Sequence, residues 1–196
     1  MNVKQLIHAI LQATKGGGSS VSDRGAALEG VGVGASVGVR EHAYWRPRWK
    51  IEKYHGEAKP ENLYAVEEFA GNLLLNEGIT ELLNLLIGGT ATAYNNANAR
   101  IGVGDSTTAA TAAQTGLQAA TNKTWKGMDA SYPQVSGQTV TFRATFGTSD
   151  ANYSWREFTV VNAADDTGKN LCRKVENHGT KASGDTWIIS LQITIS

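Results

Sequence analysis

The stretch Thr186-Trp187-Ile188-Ile189-Ser190-Leu191-Gln192-Ile193-Thr194-Ile195-Ser196 decides the fold class of this chain. Trp187, Ile189, Leu191, Ile193 and Ile195 alternate with Ile188, Ser190, Gln192, Thr194 and Ser196. A period of two carried by β-branched and aromatic residues marks a strand with one buried face and one wet face. The five residues of the first set are therefore the candidate core of a terminal strand. A strand of this quality is expected to lock either the fold or an assembly, and the rest of the chain must supply the face it packs against.

The same period recurs upstream. Val140, Phe142, Ala144 and Phe146 alternate with Thr139, Thr141, Arg143 and Thr145. Residues 154–162 carry Trp155, Phe158, Val160 and Val161, and Ala163-Ala164-Asp165-Asp166-Thr167-Gly168 follows as a turn. Residues 171–175 read as a short strand, and Lys181-Ala182-Ser183-Gly184-Asp185 turns the chain into the terminal strand. Short strands separated by Gly, Asn and Asp turns predict a mainly β fold. The expected form is an antiparallel β-sandwich, jelly-roll-like domain or barrel over residues 98–196, folding without residues 1–60.

Residues 61–97 are expected to connect to this domain through an amphipathic helix over residues 72–87. Leu75, Ile79, Leu82, Leu83, Leu86 and Ile87 form its apolar stripe, available for the core or for an oligomer interface. Asn72 is the expected N-cap and Gly88-Gly89 the stop. Gly78 within it costs about 1 kcal/mol relative to alanine, which predicts close packing at that point. Residues 90–122 are rich in Ala, Thr, Asn, Gly and Gln, with one strand-like piece, Ala99-Arg100-Ile101-Gly102-Val103-Gly104. The rest reads as a long ordered loop on the outside of the β domain, too poor in large apolar residues for its own core.

Residues 1–60 read as an assembly arm. Val3, Leu6, Ile7, Ile10 and Leu11 share one side at helical spacing, and about three turns of helix need something to dock on. Gly16-Gly17-Gly18-Ser19-Ser20 is a linker. Gly30-Val31-Gly32-Val33-Gly34-Ala35-Ser36-Val37-Gly38 lacks the spacing and the strand–helix context of a dinucleotide site, and suits an extended arm lying flat on another protein. Residues 40–59 mix aromatics with six basic residues (Arg40, Arg46, Arg48, Lys50, Lys53, Lys59) and three acidic ones (Glu41, Glu52, Glu57). Such a mixture can stack bases and neutralise phosphates, yet Trp, Tyr and Arg also dominate protein interfaces. Tyr44, Trp45, Arg46, Arg48, Trp49 and Tyr54 are accordingly the candidate anchors of the arm.

Composition supports a protein partner over nucleic acid. Lys and Arg number 18, Asp and Glu 18, so no net charge steers the chain to DNA or to an anionic membrane. No apolar run approaches the ~20 residues that span a bilayer. His8 and Gln12 interrupt the apolar centre a signal peptide would need. The single cysteine, Cys172, cannot form an intramolecular disulfide and reads as a small buried hydrophobe. His8, His42, His55 and His178 have no metal-ligand spacing. Asp150, Glu157, Asp165 and Asp166 are the carboxylates an enzyme would draw on, but no nucleophile elbow accompanies them and turn aspartates usually bind local backbone. No catalytic, cofactor or metal site is expected.

Taken in order, Asn72-Leu73-Leu74-Leu75-Asn76-Glu77-Gly78, Ile101-Gly102-Val103-Gly104-Asp105-Ser106, Val140-Thr141-Phe142-Arg143-Ala144-Thr145-Phe146, Trp155-Arg156-Glu157-Phe158, Cys172-Arg173-Lys174-Val175 and Thr186-Trp187 resemble tailed-bacteriophage virion proteins of the tail-fibre and capsid-decoration kind. The resemblance covers residues 61–196 and rests on the order of the pieces. It implies a non-enzymatic virion component, assembled in the host cytoplasm, usually oligomeric and often trimeric. A fibre would show long repetitive shaft segments, and this chain has none. The expectation is thus a capsid cement or decoration protein bound to the major capsid protein and to its own copies. A short tail fibre or baseplate adhesin is the alternative, and a nucleic-acid-binding module using residues 40–59 a more remote one.

Overall fold

The computed structural model describes residues 43–196. The amino-terminal helix, the Gly linker and the Gly/Val run expected above lie outside the described residues. Ten strands form two five-stranded antiparallel sheets, with one α-helix among the described residues. The strands are β1 (Trp45–His55), β2 (Leu63–Ala70), β3 (Leu73–Leu74), β4 (Arg100–Gly104), β5 (Lys123–Gly127), β6 (Gln134–Ser136), β7 (Thr139–Phe146), β8 (Glu157–Val161), β9 (Asn170–Val175) and β10 (Asp185–Ile195). The helix, α1, is Asn76–Leu86. Sheet A runs β2-β1-β10-β7-β6 and sheet B runs β3-β9-β8-β4-β5.

The terminal strand is the middle of sheet A. β10 pairs with β7 on one side, Leu191 opposite Phe142, and with β1 on the other, Leu191 opposite Trp49. Trp187, Ile189, Leu191 and Ile193 are buried as their alternation predicts, while Ile195 is 37% exposed where the strand runs out beside a surface groove. Sheet B closes over this face. Trp155 meets Trp187 and Phe146 edge to face, each at 4.8 Å between ring centroids, and Phe158 lies 5.8 Å from Trp49. Burying each of these rings stabilises the sandwich by about 1.5–3 kcal/mol, and each edge-to-face pair adds about 0.5–1.5 kcal/mol.

β1 corrects the domain boundaries. Residues 45–55 are not an arm but a strand inside the sandwich, flanked by β10 and β2, so the β domain begins near residue 45 rather than at residue 98. Its inward residues Trp45, Pro47, Trp49, Ile51 and Lys53 alternate with outward Arg46, Arg48, Lys50, Glu52 and Tyr54. Pro47 is tolerated because β2 reaches no further along β1 than Arg48. Removing residues 1–60 would delete an interior strand of sheet A, so residues 98–196 do not constitute an independent core.

The helix is shorter than expected at its start. Leu73-Leu74 pair with Arg173-Cys172 of β9, Leu75 takes the N-cap position, and Asn72 instead accepts a hydrogen bond from Trp45 Nε1 at 3.2 Å. The close packing expected at Gly78 is present: a Cβ there would stand 2.5 Å from the Leu171 carbonyl oxygen. Gly88, at φ +68°, and Gly89, donating its N–H to the Asn84 carbonyl, end the helix as expected.

Residues 105–122 form the expected outer loop, laid across the outside of sheet B with Leu117 and Ala119 buried. Glu157 and Arg173 clamp it. Arg173 donates to Glu157 Oε2 at 2.6 and 2.9 Å and to the Thr108 carbonyl and Gln114 Oε1, both at 2.9 Å. Glu157 also accepts the backbone N–H groups of Gln118 and Ala119. Gly102 and Gly104 make room on this face, since a Cβ at Gly104 would lie 2.5 Å from the Glu157 carboxylate.

Candidate docking groove

The six candidate anchors do not converge on one site, although the Arg46 guanidinium lies over the Tyr44 ring at 5.3 Å from its centroid. Strand alternation sends Trp49 into the core at 1% exposure and Trp45 to a groove beside α1, while Arg46, Arg48 and Tyr54 point to the outer face of sheet A. Tyr44 is 54% exposed just before β1. The basic residues are dispersed too: Lys53 is buried, Lys50 pairs with Glu52 and Lys59 with Glu57.

Two grooves remain. The first, about 750 Å³, is polar and lies on the outer face of sheet A. Arg48, Lys50, Glu52, Arg143, Ser190 and Gln192 line it beside Tyr132, whose ring carries the Arg143 guanidinium at 5.7 Å. The second, about 620 Å³, is apolar and lies between α1 and one end of sheet A. Its base is formed by the buried Phe142, Leu171 and Ile193, and its walls by Leu82 and Leu85 of α1 and Val135 of β6. Ala43 and Trp45, at the start of the described chain, also line it.

Two of the lining residues are themselves exposed, Val135 at 74% and Leu85 at 36%, and the residues that follow Leu85 in sequence, Leu86 and Ile87, are 54% and 75% exposed. The helix stripe therefore divides. Leu75 is fully buried, Ile79 and Leu82 pack against the core from partial burial, Leu83 is half-buried, and Leu86 faces outward. Gly78 sets this division by pinning the first helical turns to β9 while the last turn stands off the sheet. An apolar groove rimmed by exposed large hydrophobic side chains marks a place where something docks. Tyr94, with its hydroxyl bonded to the Lys169 carbonyl at 2.8 Å, adds an aromatic wall; burial raises its phenol pKa well above the usual value.

Of the groove's walls, sequence reasoning found Leu82 but not Val135 or Leu85, and Leu86 of the stripe lies outside the lining. Leu85 falls off the stripe by spacing, and Val135 sits in a three-residue strand of exposed residues, so the only available signal was their hydrophobicity.

The densest ionisable cluster lies elsewhere, at the β1–β2 edge. Lys53 Nζ, 4.2 Å from the Trp187 ring centroid, donates to Glu67 and to the His178 carbonyl at 2.7 Å. Glu67 also bonds His178 Nδ1 at 2.7 Å, and Phe69 stacks on the imidazole at 3.9 Å. Burial raises the Glu67 pKa, but the hydrogen bonds and charges of Lys53 and His178 outweigh it and hold the carboxyl below its usual value. Together they neutralise a lysine inside the sandwich, while His178 Nε2 is buried without a hydrogen-bond partner, 3.7 Å from Glu176 Oε1. Asp165 accepts the Thr167 N–H in its own turn, and Cys172 is fully buried, its thiol pushed up to about 12 by desolvation. Among the described residues no group of three or more His, Cys, Asp or Glu side chains is arranged to hold a metal ion, and no helix is long and apolar enough to cross a membrane.

Comparison of the chain with known protein families, with curated proteins and with solved structures finds no match.

Proposed function

We propose that this chain is a non-enzymatic structural protein of a tailed-bacteriophage particle, a capsid decoration or cement protein that binds the major capsid protein and neighbouring copies of itself. The observation that carries this reading is the apolar groove with the exposed Leu85 and Val135 in its walls, together with the exposed Leu86 and Ile87 at the end of α1. A domain that roofs one sheet with a loop of 18 residues, 105–122, yet leaves this surface outward is built to be completed by another protein. The segments behind the resemblance, among them residues 140–146, 155–158 and 172–175, are here the strands and the aromatic junction of the sandwich. That agrees with a β domain carried as a rigid unit on a particle.

The test is electron microscopy of heads incubated with the purified full chain. Regular density on the head surface, lost with the Leu85→Asp/Val135→Asp variant, is the expected result. Density confined to the tail, or undiminished head occupancy by the variant, would overturn the cement reading.

The polar groove favours a second reading, a tail adhesin. An aromatic face on Tyr132 beside Ser190, Gln192 and Thr141 is chemistry that suits a sugar. Binding of host surface glycan by the wild type, abolished in Tyr132→Ala, would select it.

A further inference from the structure

The groove has a candidate occupant within the chain itself, and we infer that residues 3–11 of the same molecule cover it until assembly. This rests on the reading of the groove as the docking surface and adds how that surface is kept from engaging too early.

Three observations point there. The first is where the chain outside the structure begins: Ala43, the first described residue, lines the groove, so the preceding 42 residues depart from its rim. The second is complementarity. Val3, Leu6, Ile7, Ile10 and Leu11 recur at helical spacing i, i+3, i+4, i+7 and i+8, the anchor pattern that apolar grooves accept. The groove offers Leu82, Leu85, Val135 and Ile195 around a base of Phe142 and Ile193. Charge is sparse on both sides, with Lys4 the only Lys, Arg, Asp or Glu among residues 1–14 and no such residue lining the groove. The third is tether length. Residues 12–42 include Gly16-Gly17-Gly18 and five further glycines by residue 42, and a Gly-rich tether of this length spans roughly 30 Å root-mean-square. Such a tether holds its end near the groove at an effective concentration on the order of millimolar. A second copy of the same segment at micromolar concentration is outcompeted, so the chain's own segment is the resting occupant. A virion partner that engages the same apolar surface over a larger area displaces it, and the released segment is then free to dock elsewhere in the assembly.

Paired cysteines in the full chain test this. Ile7→Cys with Val135→Cys is oxidised and run without reductant, beside a control pairing Ile7→Cys with Glu57→Cys on the β1–β2 connection. The expected result is an intramolecular disulfide in the monomer, formed roughly tenfold or more faster than in the control. Equal rates in the two pairs, or disulfide-linked dimers as the main product, would overturn the proposal. Leu6→Asp/Ile10→Asp in the otherwise native chain gives an independent readout. It is expected to raise binding of an apolar dye and to speed attachment to heads, and unchanged dye binding would count against the self-covered groove. Failure of the assembly reading has a different signature: a fast 7–135 disulfide together with normal head occupancy by Leu85→Asp/Val135→Asp.

Discussion

On the outer face of sheet A, Arg48, Lys50, Glu52, Ser190 and Gln192 stand in or beside an open polar groove. The outer face of sheet B instead holds Glu157, Thr159 and Arg173 at zero exposure beneath residues 105–122. The inner faces of the two sheets are alike, aromatic and aliphatic, and meet in one core. The difference lies in what covers each sheet from outside. Sheet A is finished by water over most of its outer face and so keeps an alternation of apolar and polar residues there; Ile188 of β10, expected on the wet face, is instead buried at 5% exposure. Sheet B is finished by its own loop and helix, and every residue of β8 is buried. A roof of Ala, Thr and Gly carries little apolar surface to hold itself down, and the buried Glu157–Arg173 pair with its backbone partners does that instead. Where the roof ends, at the last turn of α1, the apolar groove opens.

Breaking the roof should have the largest effect. Arg173→Met leaves the Glu157 carboxylate buried without its cation and should cost about 3–5 kcal/mol in urea unfolding. Glu157→Gln/Arg173→Met should recover part of that loss, because no charge is then stranded. Gly78→Ala drives a methyl into the Leu171 carbonyl, so α1 must shift off β9 at a net cost of about 1–3 kcal/mol. The same variant should alter dye binding in the apolar groove, since Leu82 and Leu85 move with the helix.

Effects on sheet A should be smaller. Glu67, with its folded pKa held below the ordinary 4.5, contributes stability that is complete above that value and lost as pH falls through the folded pKa. Thermal melts of Glu67→Gln should therefore begin from a lower Tm at neutral pH and fall less than the wild type between about pH 5 and 3. A wild-type-like slope would mean that other carboxylates dominate acid unfolding. Smallest of all, Lys50→Ala removes an exposed pair with Glu52 and should leave stability within about 0.5 kcal/mol. A larger loss there would show that the face of sheet A is less open than its groove implies.

The same contrast accounts for what could be read from the chain. β7 and β10 were legible because, Ile188 apart, their outer residues are polar and their inner ones apolar. β1, paired to β10 along eleven positions, was not. Its inner set contains Pro47 and Lys53, and its aromatics sit between arginines, so the stretch reads as a surface arm until its partners are known. β2 was hidden by the Glu67-Glu68 doublet and its exposed Leu63, Tyr64 and Val66. The helix began four residues later than its stripe suggested because β9 offers Leu73-Leu74 a strand partner. Of the groove lining, the stripe supplied Leu82, whereas the groove itself needed α1, β6, β7 and β10 brought together.

The sequence by itself determined the antiparallel β class, the inward face of β10 from Trp187 to Ile193, the turns between the later strands and the close approach at Gly78. Each of these is a matter of local periodicity or of one residue's conformational limits. The tertiary structure alone decided that Lys53 could lie inside, that Glu157 and Arg173 would share a buried bond, and that the last turn of α1 would leave a groove. Those outcomes depend on partners 14 to 125 residues away. Alternation along a strand says which side a residue faces, while only the fold says what waits on that side.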